Sequence, residues 1–190
     1  TLTTEGAKDE PVIFTSLRDD KHAGDTNNDA TSTAATAGSW KGLVFRDGSS
    51  GSTLSNTKVL YSGLAFGSSD KAGIDIKNSS PDFEELTVAT SAGDGILLSD
   101  SSATFSDSLV KNASKKGIYA DSGAPEIENS VFENNGYGVS LSQPQGAVIK
   151  NNKFTGNSGP AIYTDGLDTE FKDNFGSGNN KNAISMIGST

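Results

Sequence analysis

The chain has 190 residues, of which 33% are hydrophobic and 22 are glycine, and its formal net charge is -9. This length suits a single domain spanning residues 1–190. The negative charge argues against nucleic acid as a partner, because such a partner needs clustered Lys and Arg. The chain has no Cys, which excludes disulfides and thiolate metal sites. No apolar run reaches the length of a membrane helix, so we expect no membrane insertion.

The first predicted element is a strand at residues 11–17, with the sequence Pro-Val-Ile-Phe-Thr-Ser-Leu. An inserted loop follows at residues 18–39 and is rich in Asp, Asn, Ser and Thr. The strand pattern resumes at Trp40-Lys41-Gly42-Leu43. The loop therefore interrupts a strand-rich chain near its N-terminus.

This inserted loop contains a predicted calcium site. Asp25, Asn27 and Asp29 form a D-x-N-x-D pattern, which lets three oxygen-bearing side chains converge on one hard cation. Asp19 and Asp20 are near enough along the chain to complete the coordination. The loop lacks the Gly and the bidentate Glu of an EF-hand. Calcium is the predicted cofactor, and the alternative is an acidic loop stabilised by Asx-turns.

A short motif of Gly, an aliphatic residue, any residue and an apolar residue recurs along the rest of the chain. Its copies begin at Gly42, Gly73, Gly95, Gly117, Gly138, Ala161 and Ala183, so the first interval is 31 residues and the later ones are 21 to 23. Two further series have a strict period of 22: Phe83, Phe105, Ile127, Ile149 and Phe171, and then Val88, Val110, Phe132 and Phe154. Leu54 and Val59 form an earlier copy at an offset of 29, which predicts an insertion at Leu64–Asp70.

Within each copy the apolar residues lie two apart, which is the periodicity of a strand. One such unit cannot bury its inward face, but stacked units bury a continuous core. The motif and its period resemble the right-handed parallel β-helix repeats of bacterial and archaeal surface proteins and polysaccharide lyases. We therefore predict an all-β fold, a right-handed parallel β-helix (β-solenoid) of about seven coils and about 34 Å in length.

The N-terminal segment carries a second resemblance. Phe14-Thr15-Ser16, the acidic Gly-Asp-Thr-Asn loop and Trp40-Lys41-Gly42-Leu43 occur in that order. This arrangement is similar to a segment of large secreted β-helix surface proteins. The resemblance implies an extracellular or cell-surface location.

An enzyme must also be considered, because the resemblance includes polysaccharide lyases. The obvious carboxylate series is Glu85, Asp107, Asn129, Asn151 and Asp173, again with a period of 22. No Arg follows Arg46, so the repeats lack the arginine that a lyase needs. His22 is the sole histidine and has no nucleophile signature near it. We therefore expect no catalytic residues, and a lyase or hydrolase is the least favoured function.

Two further series are candidates for binding. Asn135, Asn157 and Asn179 recur at 22 residues, which predicts a ladder of hydrogen-bonded amides or, alternatively, a row that binds glycans. Leu97, Tyr119 and Tyr163 occupy outward positions of the Gly-aliphatic strands. They are either incidentally exposed or form a lateral contact or glycan surface.

Both ends of the sequence look uncapped, and a β-helix leaves open strand edges at its ends. We therefore expect either self-association through these ends, which propagates into a filament, or a longer β-helix. The favoured function is an extracellular structural or adhesive module. The alternative is a glycan-binding module.

Overall fold

A computed structural model describes residues 1–22, 24–64 and 72–186. Every regular element in this part of the chain is a β-strand, and three successive strands form one coil. Coils 1 to 3 contain β1 (Thr3–Glu5), β2 (Val12–Phe14), β3 (Leu43–Phe45), β4 (Thr53–Ser55), β5 (Thr57–Leu60), β6 (Ala72–Lys77), β7 (Asp82–Glu84), β8 (Thr87–Ala89) and β9 (Asp94–Ser99). Coils 4 and 5 contain β10 (Thr104–Ser106), β11 (Leu109–Lys111), β12 (Lys116–Asp121), β13 (Glu126–Glu128), β14 (Val131–Glu133) and β15 (Tyr137–Ser142). Coils 6 and 7 contain β16 (Ala147–Lys150), β17 (Lys153–Thr155), β18 (Pro160–Thr164), β19 (Thr169–Lys172), β20 (Phe175–Ser177) and β21 (Lys181–Met186).

Every third strand joins the same sheet, so the chain passes through three parallel sheets in turn. Sheet A has the order β1-β4-β7-β10-β13-β16-β19, sheet B β2-β5-β8-β11-β14-β17-β20, and sheet C β3-β6-β9-β12-β15-β18-β21. The 22-residue period sets the register, since Phe105 pairs with both Phe83 and Ile127. The predicted all-β parallel β-helix is confirmed.

The five coils from β7 to β21 keep a period close to 22, and the first two coils carry the longer connections. One of these connections is the loop at residues 18–39, between β2 and β3. The insertion predicted at Leu64–Asp70 lies outside the described residues except for Leu64. Among the described residues, no helix is long and apolar enough to cross a membrane.

The core runs along the axis of the helix, because each predicted apolar series points inward from one sheet. Its largest fully buried side chains include Phe83 and Phe105 from sheet A, and Phe132 and Phe154 from sheet B. The first two rings stack with centroids 4.9 Å apart, and the second two with centroids 5.0 Å apart. These distances match the spacing of adjacent strands, so stacked coils bring like side chains into contact.

The corners between sheets are turned by residues in the left-handed conformation. From sheet A to sheet B, φ lies between 45° and 57° at Asn56, Glu85, Asp107, Asn129, Asn151 and Asp173. From sheet B to sheet C, the corresponding residues are Tyr61, Thr90, Asn112, Asn134, Gly156 and Gly178. Asn and Asp tolerate this conformation better than most side chains, and Gly tolerates it best. The backbone thus explains why such residues recur at the corners.

The glycine that opens each sheet C motif allows close approach between coils. A Cβ at Gly117 would lie 2.5 Å from the carbonyl oxygen of Gly138 and 3.0 Å from the ring of Phe132. A larger residue there would push the next coil away. The repeated Gly therefore has a packing role.

Candidate functional site

The acidic loop is anchored to the first coil through Asp19, which is buried. Its Oδ2 accepts a hydrogen bond from Thr15 Oγ1 at 2.6 Å and lies 2.7 Å from Nδ1 of His22. Burial favours the neutral acid, but the hydrogen bonds from Thr15 and His22 outweigh it and lower the pKa of Asp19. Asp19 thus serves to fix the base of the loop.

The central part of the loop is organised by two carboxylates. Asp25 accepts hydrogen bonds from the backbone N–H groups of Asp29 and Ala30, at 3.0 and 2.8 Å. Asp29 accepts the N–H groups of Thr31 and Ser32, both at 3.1 Å. These are the Asx-type bonds of the alternative interpretation, and they occupy oxygen atoms of two predicted calcium ligands.

Two other predicted ligands, Asp20 and Asn27, each have a side-chain oxygen without a hydrogen-bond partner among the described residues. These atoms, Asp20 Oδ1 and Asn27 Oδ1, are buried. Burial and the negative charges of Asp25, Asp29 and Asp19 raise the pKa of Asp20. In the described part of the chain, no three His, Cys, Asp or Glu side chains are grouped as a metal site. The structure thus brings the predicted ligands into one loop without gathering their carboxylates.

The carboxylate series considered for catalysis lies at the corner between sheets A and B. All five of its members, Glu85, Asp107, Asn129, Asn151 and Asp173, have φ between 50° and 57°. Left-handed backbone at this corner accounts for Asp and Asn in the series without any catalytic role.

Arg46 and His22 are each engaged with a carboxylate. Arg46 forms a two-point ion pair with Asp75, with Nη1 and Nη2 at 3.1 and 2.5 Å from its two carboxylate oxygens. In a catalytic triad the hydroxyl donates to the imidazole, whereas Thr15 donates to Asp19. Arg46 thus links coil 1 to Asp75 of coil 2, and His22 contacts Asp19 at the base of the acidic loop.

The series Asn135, Asn157 and Asn179 forms the predicted amide ladder. Each Oδ1 accepts the backbone N–H of the corresponding corner residue one coil earlier, at 2.9 Å in all three cases. Each Nδ2 donates to a carbonyl oxygen of that earlier coil, those of Val110, Phe132 and Phe154. Asn135 and Asn157 are buried. The ladder interpretation is confirmed, and these buried amides cannot form a glycan-binding row.

A second ladder lies at the corner between sheets A and B, and we did not predict it from the sequence. Asn152 Oδ1 accepts the N–H of Ser130 at 2.9 Å, and Asn174 Oδ1 accepts the N–H of Asn152 at 3.1 Å. In the earlier coils a serine hydroxyl takes this role, as where Ser130 Oγ accepts the N–H of Ser108. The 22-residue spacing of Asn152 and Asn174 was the available signal.

The outer face of sheet C carries the predicted lateral residues, but they are not equivalent. Leu97 is only 5% exposed, so our expectation of an exposed Leu97 is corrected. It pairs in register with Asp75 on one side and Tyr119 on the other, and these neighbours flank it. Tyr119 and Tyr163 are half-buried.

Tyr119 belongs to a polar environment on this face. The Nζ atom of Lys116 lies 3.6 Å from the centroid of its ring, which is cation–π geometry. Burial and the charge of Asp121 raise the pKa of Tyr119. The contact with Lys116 helps to hold the ring on the outer surface of the sheet.

Tyr137, which we did not predict, completes a set of three tyrosines with Tyr119 and Tyr163. Tyr137 is 36% exposed, and its ring meets that of Tyr163 edge to face, with centroids 6.1 Å apart. Tyr137 lies one residue before Gly138, outside the outward positions of the repeated motif. Its aromatic character at the strand start was the available signal.

Comparison with known families gives one match. The model of a family described as "Right handed beta helix region" matches residues 21–126 and 72–190, two overlapping stretches that cover most of the chain. The comparisons with curated proteins and with solved structures found no match.

Proposed function

Because the chain belongs to the right-handed β-helix family, we propose that it is a structural or adhesive module, a stiff rod that works outside the cell or on its surface. The observation that carries this proposal is the continuity of its interior. Three parallel sheets of seven strands share one core, and two side-chain ladders connect the coils at the corners. Such a stack resists bending because each coil is bonded to the next throughout.

Its composition supports the proposed extracellular or cell-surface location. The net charge is -9, and the loops are rich in Ser, Thr, Asn and Asp. A highly charged polar surface keeps a rod soluble and separate from other anionic surfaces. The proposed location is thus consistent with the chemistry of the surface.

We propose that the rods associate end to end. The inward-facing residues Phe171, Ile184 and Met186 of coil 7 form what we call the end surface. Ile184 is 36% and Met186 50% exposed, whereas Ile162, one coil earlier, is buried. At the other end of the described stack, Phe14 and Leu43 are only half-buried. Partly exposed apolar side chains at both ends of the described stack favour a head-to-tail contact between copies, which repeats into a filament.

Electron microscopy and light scattering of the 190-residue chain test this association. We expect filaments from the unchanged chain and their loss in Ile184→Lys, because the lysine places a charge inside the apolar contact. Leu167→Lys is the matched control, since Leu167 is 71% exposed and does not belong to the end surface. Short monodisperse rods from the unchanged chain would contradict stacking and favour a module within a longer helix.

We also propose that the acidic loop binds calcium. A cation beside Asp20 Oδ1 and Asn27 Oδ1 would give both atoms a partner. It would also relieve the repulsion that Asp20 experiences from Asp25 and Asp29. Bound calcium would then stiffen the loop against coil 1.

Calorimetric titration of the chelator-treated chain with calcium chloride tests this proposal. We expect a binding heat and a higher melting temperature, equivalent to about 3 kcal/mol when calcium exceeds its Kd a hundredfold. Asp20→Asn should weaken both effects, whereas Asp9→Asn, an exposed carboxylate outside the loop, should leave them unchanged. If the unchanged chain gives no heat and no rise in melting temperature, the loop is held by its Asx-type bonds alone.

A further inference from the structure

A recess opens on the outer face of sheet C and spans coils 5 to 7. Its volume is about 390 Å³, and its lining includes Tyr137, Pro160, Tyr163, Asn180, Lys181 and Ser185. Every one of these residues lies in the described part of the chain. The recess is on the side of the rod, and none of its lining residues belongs to the end surface.

The two rings in the recess are held in place before any ligand arrives. Tyr137 and Tyr163 meet at an interplanar angle of 88°. A Cβ at Gly159 would lie 3.1 Å from Cδ2 of Tyr137, so the ring packs directly against the glycine. A perpendicular pair uses one ring face in its own contact, and the two rings have further faces to offer a ligand. Rigid aromatic side chains lose little conformational entropy on binding.

The rest of the lining provides polar groups around these rings. Asn180 offers a donor and an acceptor, Ser185 a hydroxyl, and Lys181 a positively charged donor. A ligand that fits this lining needs an apolar face for the rings and several hydroxyl groups at its rim. A sugar ring has both features.

A bound peptide strand fits this position less well. Two of the three strands that line the recess are paired on both sides, β15 with β12 and β18, and β18 with β15 and β21. The third strand, β21, has an open edge, but this edge faces the end of the stack, so a peptide that extended the sheet would lie there and not across the recess. The recess must therefore recognise its ligand through side chains.

We infer that this recess binds an oligosaccharide, with sugar rings packed on Tyr137 and Tyr163 and hydroxyl groups bonded to Asn180, Lys181 and Ser185. The recess crosses three coils at a strand spacing of about 4.8 Å, so it accommodates consecutive sugars of a chain. Lys181 adds a preference for sugars that carry a carboxylate. This site adds a ligand to the proposed structural module.

Calorimetric titration with three β-1,4-linked hexasaccharides, of glucose, N-acetylglucosamine and glucuronic acid, tests the inference. We expect at least one to bind the unchanged chain, and about tenfold weaker binding in Tyr137→Ala and in Tyr163→Ala. Tyr137→Phe keeps the ring and should retain binding. Lys181→Ala should weaken binding of the glucuronate hexamer alone, which separates carboxylate recognition from recognition of the sugar ring.

Phe175→Ala is the matched control, because Phe175 is an aromatic residue of coil 7 that is 60% exposed and lies in sheet B. Its binding should equal that of the unchanged chain. Circular dichroism of each variant verifies that the fold is intact. The inference is overturned if none of the three hexasaccharides binds, or if folded Tyr137→Ala and Tyr163→Ala bind as tightly as the unchanged chain.

Discussion

Phe132→Ala is expected to lower the free energy of unfolding by about 3–5 kcal/mol. Phe132 is fully buried, and its ring stacks on that of Phe154 with an interplanar angle of 12°. The substitution removes the ring from the middle of the stack and leaves a cavity between coils. The coils cannot move together to fill this cavity, because hydrogen bonds to both neighbouring strands fix β14 in sheet B.

Urea unfolding monitored by circular dichroism measures this effect. Phe175→Ala provides a control within the same sheet, since its ring points outward and is mostly exposed. Its free energy of unfolding should change by less than about 0.5 kcal/mol. A change below about 1 kcal/mol in Phe132→Ala would mean that the ring is not enclosed by neighbouring coils.

The core could be predicted from the sequence because its signal is periodic. Each coil places the same residue position above the last, so a 22-residue spacing of apolar residues marks an inward column. Phe83, Phe105 and Ile127 were predicted as one series, and they pair in register within sheet A. The same periodicity predicted the ladder through Asn135 and Asn157.

The exposure of the outer face could not be predicted in the same way. An outward side chain is covered or uncovered by its neighbours one coil above and below, which lie about 22 residues away in sequence. Leu97 is therefore buried between Asp75 and Tyr119, although its position within the strand points outward. Tyr137 is 36% exposed, and its ring contacts that of Tyr163 in the next coil, a pairing that no single repeat reveals.

The acidic loop does not repeat along the chain, so its sequence identifies possible cation ligands but does not give their positions in space. The D-x-N-x-D spacing brings oxygen atoms close along the chain, but Asp25 and Asp29 accept nearby N–H groups. Asp19 instead bonds to Thr15 and His22 at the base. Whether these oxygens converge depends on the path of the whole insertion, which local spacing does not determine.

Asn157→Ala is expected to lower the free energy of unfolding by about 2–6 kcal/mol, although the residue it replaces is polar. Asn157 Oδ1 accepts the N–H of Asn135 at 2.9 Å, and Nδ2 donates to the carbonyl oxygen of Phe132 at 3.1 Å. Alanine leaves both groups without a partner in the interior, at about 1–3 kcal/mol each. Urea unfolding again measures the change.

Asn151→Gly is the control. Asn151 is an exposed corner residue with left-handed backbone, and its replacement should have little effect, because glycine adopts that backbone freely. Equal stability of the two variants would show that water replaces the ladder bonds and that the buried amides do not couple the coils.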